Sequence, residues 1–238
     1  MIQGKRVLAL IPARGGSKGI KDKNIYEIDD QPLIAYTIKA AKGCEYVDDI
    51  VVSTDSERIG AVAREYGADV PFYRPAELAS DTATTLDAIL HAVNTLSDMG
   101  RDYDILLLLQ ATSPLRDAGD IAGALETFMA NGERSVAAVN PVEDHPILIR
   151  TIEEEPKLSM KRLLNMGSTV RRQDMPDYYF VNGSIYINAI KDLGKDTSFN
   201  DNEVPYVMSP DHSVDIDEYK DIEMVKYYLS QKKAASKQ

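Results

Sequence analysis

The chain has 238 residues, 44% hydrophobic and 27% charged with 14 Gly and 11 Pro, the composition of a globular domain rather than a disordered, collagen-like or disulfide-stapled chain. Its net charge of −11, from 27 Lys and Arg against 38 Asp and Glu, opposes nonspecific binding to nucleic acid or to an anionic membrane. A single cysteine, Cys44, excludes an intrachain disulfide, no Cys/His cluster has zinc spacing, and Pro12 and Arg14 break the first apolar run, so the expected setting is a reducing cytoplasm.

In chain order, Val7–Ile11 reads as a buried strand, and Leu33, Ile34, Ile38 and Ala41 follow Pro32 at helical spacing. Ile50–Ser53 reads as a second strand, and Ile59, Val62, Ala63 and Tyr66 form a helical stripe ending at Gly67. The pattern continues with strands at Val70–Tyr73, Ile105–Leu109 and Val136–Val139. Helices are predicted between them at about Thr85–Ser97 and at Ala118–Ala130, the latter with Asp117 as N-cap. This alternation predicts an α/β fold with a mainly parallel sheet covered on both faces. Beyond Val139 the texture changes: Pro141, Pro146, Pro156 and Pro176 punctuate short β-like pieces at Ile147–Ile152 and Tyr178–Asn188, as expected of antiparallel hairpins. A last helix is expected over about Glu218–Gln231, with Lys232–Gln238 a frayed tail.

Charge is unevenly placed. Residues 1–24 carry Lys5, Arg6, Arg14, Lys18, Lys21 and Lys23 against Asp22, a net of +5 that leaves −16 for the remaining 214 residues. Four of these cations lie in Pro12–Asn24, a Gly-rich stretch directly after the first strand, where an anion is expected to bind. Gly15-Gly-Ser-Lys-Gly19 fits neither the Walker A pattern nor G-x-G-x-x-G, so ATPase and dinucleotide readings fall away. What survives is a loop whose backbone N–H groups approach phosphate oxygens, flanked by cationic side chains. By topology that loop converges with Ser53–Asp55 and Gln110–Arg116 at the carboxyl edge of the sheet.

A second constellation is Asp211-His-Ser-Val-Asp215-Ile-Asp217. In an extended segment Asp215 and Asp217 share a face and offer hard oxygen ligands, suited to Mg2+ that also contacts substrate phosphates. The competing reading makes Asp217 a helix N-cap and Asp215 a surface acid. His91, mid-helix, and Cys44, at a helix end, are expected to be structural, whereas His212 is open between orienting a neighbouring group and lying idle on the surface.

Leu10-Ile-Pro-Ala-Arg-Gly-Gly-Ser-Lys-Gly19 with Lys23-Asn24 resembles the signature of the acylneuraminate (sialic acid) cytidylyltransferases. Val51–Asp55, Arg74–Thr82, Leu109–Arg116, Asn182–Ile187 and Ser213–Asp217 resemble further motifs of that family in the expected order. The resemblance implies a nucleotidyltransferase (Rossmann-like) domain with a small antiparallel dimerisation arm at about 141–180. It also implies transfer of CMP from CTP to the anomeric hydroxyl of a nine-carbon acidic sugar, with release of pyrophosphate. Residue by residue it implies that Arg14, Ser17 and Lys23 hold the CTP phosphates, that Ala13, Asn24, Arg74, Ala83 and Thr85 surround cytosine and ribose, and that Asp215 and Asp217 bind Mg2+. Gln110, Tyr186 and Phe199 would contact the sugar, and Arg172 would reach into the neighbouring subunit, making a homodimer with a shared site. After His145-Pro146 this chain has Ile147-Leu148 where sialate-specific relatives tend to place lysine, which bears on which nine-carbon acid is used. The alternatives are a 3-deoxy-manno-octulosonate cytidylyltransferase, which resembles P-A-R-x-x-S-T-R-L-P instead, and a non-catalytic CTP-binding partner.

Overall fold

The computed structural model describes residues 1–238 apart from 18, 81–82, 166–168, 170 and 236–238, and apart from the side chain of Arg172. Three apolar runs, Val7–Pro12 (β1), Asp49–Ser53 (β4) and Ile105–Leu109 (β5), form the parallel centre of a six-stranded sheet, with β1 between β4 and β5. Two residue pairs, Glu27–Ile28 (β2) and Gln31–Pro32 (β3), make a small separate ladder. Tyr179–Ala189 (β9) runs antiparallel to both β5 and Val136–Pro141 (β6), and Val204–Val207 (β10) pairs parallel with β6 to complete the order β10-β6-β9-β5-β1-β4. Strand β10 escaped the sequence reading because Pro205 interrupts a four-residue run, as is tolerated on a sheet edge.

Residues alternate across the sheet. Val7, Ala9 and Ile11 with Leu107 and Leu109 face Leu33–Gly43 (α1), Glu57–Glu65 (α2) and Ala118–Ala130 (α4), while Leu8, Leu10, Leu106 and Leu108 face Thr85–Asp98 (α3). Both faces are therefore covered, and the central strands read as unbroken apolar runs. Asp117 is the N-cap of α4, as the sequence predicted, and it forms a reciprocal capping box with Asp120; Pro32, expected in the first turn of α1, stands one position earlier at its N-cap.

Three expectations need correction. Val70–Tyr73 is not a strand: Asp69 makes one bridge to Val51, after which Pro71, lacking an N–H, ends the ladder and the chain turns so that Arg74 N–H meets Thr54 O at 2.7 Å. The segment Ile147–Ile152 divides into a 3-10 turn at Pro146–Leu148 and a strand at Arg150–Glu153 (β7), which pairs antiparallel with Ser159–Arg162 (β8) as an outlying hairpin. The final helix, Tyr219–Ala235 (α5), runs into the segment expected to fray, because Lys232 donates to Leu115 O at 3.2 Å and Lys233 pairs with Asp29 at 3.0 Å. Cations in its last turn also suit the helix dipole.

A third apolar cluster joins α5 to the body of the domain: Ile20, Ile28, Leu33, Leu115, Ile216, Ile222 and Val225 are buried together. Ile20 follows the Gly-rich loop and Ile216 separates the two aspartates, so this small core holds the basic loop against the acidic segment.

Candidate active site

Beyond β1 the chain folds over the carboxyl edge of the sheet. Ala13 N–H still donates to Ser53 O at 2.9 Å, Gly15 N–H donates to Asp55 Oδ1 at 2.8 Å, and Asn24 Nδ2 donates to Arg14 O at 3.0 Å. A Cβ at Gly19 would stand 2.6 Å from Asp217 O, so only glycine lets the loop pass this close to the acidic segment. Lys23 spans the two: its Nζ donates to Ile216 O at 2.8 Å and to Asp217 Oδ1 at 3.0 Å. The lysine is largely covered at 16% exposure while the aspartate is 77% exposed, so one side of the ion pair is open to exchange.

Asp215 and Asp217 do face the same space, as the alternation predicted. Burial holds the Asp215 carboxyl above its ordinary range, helped by the charge of Asp217 and opposed by Thr112 and Lys23. Its Oδ1 is buried without a hydrogen-bond partner among the described residues. The first amides of the last turn before α5 are taken by Asp221, whose Oδ2 accepts from Asp217 N and Glu218 N at 2.9 and 2.8 Å. The carboxylate of Asp217 is left to Lys23 and the cleft, not to helix capping. An unpaired buried carboxylate oxygen beside a solvent-facing carboxylate is a donor set that fits a hard divalent cation such as Mg2+.

Two clefts meet at this pair. One, of about 440 Å³, is lined by Arg14, Ser17, Lys23, Asn24, Arg74 and Thr85, together with Gln110, Asp215 and Asp217. The other, of about 570 Å³, is lined by Gln110, Asp215 and Asp217 again, with Tyr186, Asn182 and Phe180 on its far wall. Ala13 is buried and Ala83 half-buried, and neither is among the described residues lining the first cleft. Phe199 lies behind Tyr186, ring centroids 5.9 Å apart, supporting the wall without lining it. Lys18 and the side chain of Arg172 lie outside the described residues.

The cytidylyltransferase family model matches residues 8–234. The chain belongs to this family. It is 37% identical to the CMP-N,N'-diacetyllegionaminic acid synthase of Legionella pneumophila, over 89% of this chain and 91% of that one. It is 36% identical to an N-acylneuraminate cytidylyltransferase of Escherichia coli, over 98% of this chain and 54% of that longer protein. Its fold matches the solved structure of a CMP:2-keto-3-deoxy-manno-octonic acid synthetase in complex with CTP, with a TM-score of 0.72 and 16% identity over 95% of this chain and 99% of that one.

Three side chains of this cytidylyltransferase hold the clefts in shape: Arg74, which the resemblance places at the nucleoside, and Asp55 and Arg116, to which the sequence assigns no role. Asp55 secures the Gly-rich loop through Gly15. Arg74, nearly buried, donates to Ser53 O at 2.8 Å, and burial lowers its pKa against the pull of Asp55. Arg116 is wholly buried, and burial pushes its pKa down to about 10. Its guanidinium donates to Ser184 O at 2.6 Å, Thr37 Oγ1 at 2.8 Å and Gln110 O at 3.4 Å, fixing the Gln110 backbone between β5, β9 and α1. Gly183, at φ +74°, brings β9 so close that a Cβ would lie 3.2 Å from Gln110 Oε1. Asp55, Arg116 and Gly183 all lie in motifs quoted above, yet their partners are distant in sequence and give no periodic signal.

The bland readings of His91 and Cys44 agree with their surroundings. His91 packs edge-on against Phe72, and burial lowers its pKa. Cys44 is buried at the end of α1, where burial raises the thiol pKa and disfavours the thiolate.

Proposed function

We propose that this cytidylyltransferase transfers CMP from CTP to the anomeric hydroxyl of a nine-carbon acidic sugar of the N-acylneuraminate or legionaminate type, releasing pyrophosphate. The observation that carries the reading is the meeting of two clefts at Asp215, Asp217 and Gln110, one walled by the basic loop and the other by Tyr186 and Asn182. Relatives named for legionaminate and neuraminate chemistry supply the sugar class. The eight-carbon alternative rests on likeness of fold.

In this reading Arg14, Ser17 and Lys23 hold the triphosphate, Asn24, Arg74 and Thr85 surround the nucleoside, and Gln110 and Tyr186 orient the sugar. Nucleotide entry opens the Lys23–Asp217 ion pair, turning the ammonium toward phosphate and freeing the carboxylate. Asp215 and Asp217 hold Mg2+, which when bound neutralises charge on the phosphate oxygens. The anomeric hydroxyl gives up its proton to solvent as its oxygen bonds to the α-phosphorus and the bond to the β-phosphate oxygen breaks. Pyrophosphate leaves with its charge countered by Arg14 and Lys23. Two anions are brought together, so positioning and neutralisation account for the acceleration and no covalent nucleophile is needed.

The β7–β8 hairpin and its flanks expose Leu148, Ile152, Leu158, Met160 and Leu163, apolar surface that a second copy of the chain would cover. We assign 141–180 as the dimerisation arm and Arg172 as the residue it delivers to the partner's sugar site. No helix among the described residues is long and apolar enough to cross a membrane. We assign the reaction to the cytoplasm.

Asp217→Ala tests the site. Turnover is expected to fall by about 100-fold or more, on the scale of a lost charge-stabilising group, with thermal melting little changed. Full activity in that variant would overturn the metal assignment.

A further inference from the structure

His212, next to the acidic segment, is a polar side chain that the functional reading leaves without a task. Its Nδ1 lies 2.8 Å from Asp120 Oδ2, and both side chains are well covered, at 22% and 11% exposure. A carboxylate only accepts, so Nδ1 carries the hydrogen. Asp120 belongs to the first turn of α4, where the same Oδ2 also accepts Asp117 N–H at 3.0 Å, while Asp117 Oδ1 accepts from Gly119 N and Asp120 N. The ligand atoms of Asp117, Asp120 and His212 lie within 4.8 Å of one another. Asp120 Oδ2 is committed to two hydrogen bonds, and Asp117 Oδ2 stands 3.9 Å from Nδ1, beyond hydrogen-bond reach, so the contact that ties His212 to α4 is the one to Asp120.

What that contact holds follows from the chain path. His212 closes the 3-10 turn Pro210–His212, and the extended segment carrying Asp215 and Asp217 leaves directly from it. Four residues on, Ile216 N–H donates to Thr112 O at 2.9 Å. The acidic segment is thus fastened twice to a single connection, the one running from β5 through Gln110 and Thr112 into α4. One fastening is a main-chain bond between the aspartates, and the other is His212 at the segment's start. Gln110, Asp215 and Asp217 are the residues shared by both clefts, so this pair of ties sets their spacing.

Resting on the functional reading above, we propose that His212 is a positioning residue: through Nδ1–H to Asp120 it holds the Asp215–Asp217 segment in register with the Gln110 loop and thereby sets the affinity of the carboxylate pair for its cation. The position of the donor makes the idea testable by shape. His212→Asn keeps an N–H near the place of Nδ1, His212→Gln presents its amide farther out, and His212→Ala removes it.

The experiment is Mn2+ binding to the CTP-loaded, sugar-free protein, followed by electron paramagnetic resonance, alongside thermal melting and the Mg2+ dependence of turnover. Outer hydrogen-bond partners of ligands typically contribute about 10- to 100-fold in metal affinity. His212→Ala and His212→Gln are expected to weaken Mn2+ binding about tenfold and to raise the Mg2+ needed for half-maximal rate, with kcat at saturating Mg2+ and the melting temperature nearly unchanged. His212→Asn is expected to bind Mn2+ as the parent does. Unaltered affinity in His212→Gln would overturn the proposal even if His212→Ala fails to fold, and so would equal losses in His212→Asn and His212→Gln. A parent protein with no CTP-dependent Mn2+ binding would instead overturn the functional reading itself.

Discussion

The carboxyl of Asp215 sits where burial opposes its charge, with one oxygen lacking a partner among the described residues. Because its folded pKa is raised, the native state binds more protons than the unfolded chain between the ordinary carboxylate range and the raised value. The group therefore subtracts stability as pH rises through that window. Asp215→Asn removes the charge at nearly constant shape. At neutral pH it is expected to melt a few degrees higher than the parent while losing turnover. Melting curves from about pH 7 down to about pH 4 should show this advantage shrink as the parent's carboxyl takes up its proton. A variant that melts lower than the parent at neutral pH would contradict the account. At this scale the chemistry-bearing residues were legible because they cluster locally: cations and glycines in Pro12–Asn24, alternating acids in Asp211–Asp217. His212 was not legible, since its partner Asp120 lies 92 residues away.

Among the elements, Arg116 joins β5, β9 and α1 at the point from which Gln110 enters both clefts. Arg116→Met fills much of the volume but leaves Ser184 O and Thr37 Oγ1 without the guanidinium donor, while Gln110 O keeps the Thr37 hydroxyl at 3.3 Å. Each buried acceptor left unpaired costs about 1–3 kcal/mol, so chemical denaturation should show a loss of that order. Activity should fall further than stability explains, through a displaced Gln110. Stability equal to the parent would mean that these bonds form with other donors. The strands β1, β4 and β5 and the helices α1 to α4 were readable from periodicity, because burial on both faces writes continuous apolar runs and capping writes Asp117. Where prolines and charge outweighed periodicity, at Pro71, Pro205 and the Lys-rich end of α5, the reading missed an element or its limit.

For the whole molecule, the charge split seen in the first 24 residues is resolved by folding: the basic loop docks on the acidic segment through the Ile20–Ile216 cluster and the Lys23–Asp217 contact. The family resemblance located both, whereas the division of the site into two clefts meeting at Asp215, Asp217 and Gln110 is a property of the folded chain. If the site is shared between subunits, mixing inactive Arg172→Ala and Asp217→Ala proteins under conditions that allow exchange should restore part of the activity. Restoration follows because one site per mixed dimer is then intact. No recovery, with exchange verified, would place Arg172 in its own chain's site.

The most direct test of the central claim is pyrophosphate release by the purified protein with CTP and Mg2+, run in parallel with N-acetylneuraminate, N,N'-diacetyllegionaminate, pseudaminate and the eight-carbon 3-deoxy-manno-octulosonate. Release with a nine-carbon acid is the predicted result and names the sugar at the same time. Silence with every nine-carbon acid despite tight CTP binding, or turnover with the eight-carbon acid alone, would contradict it.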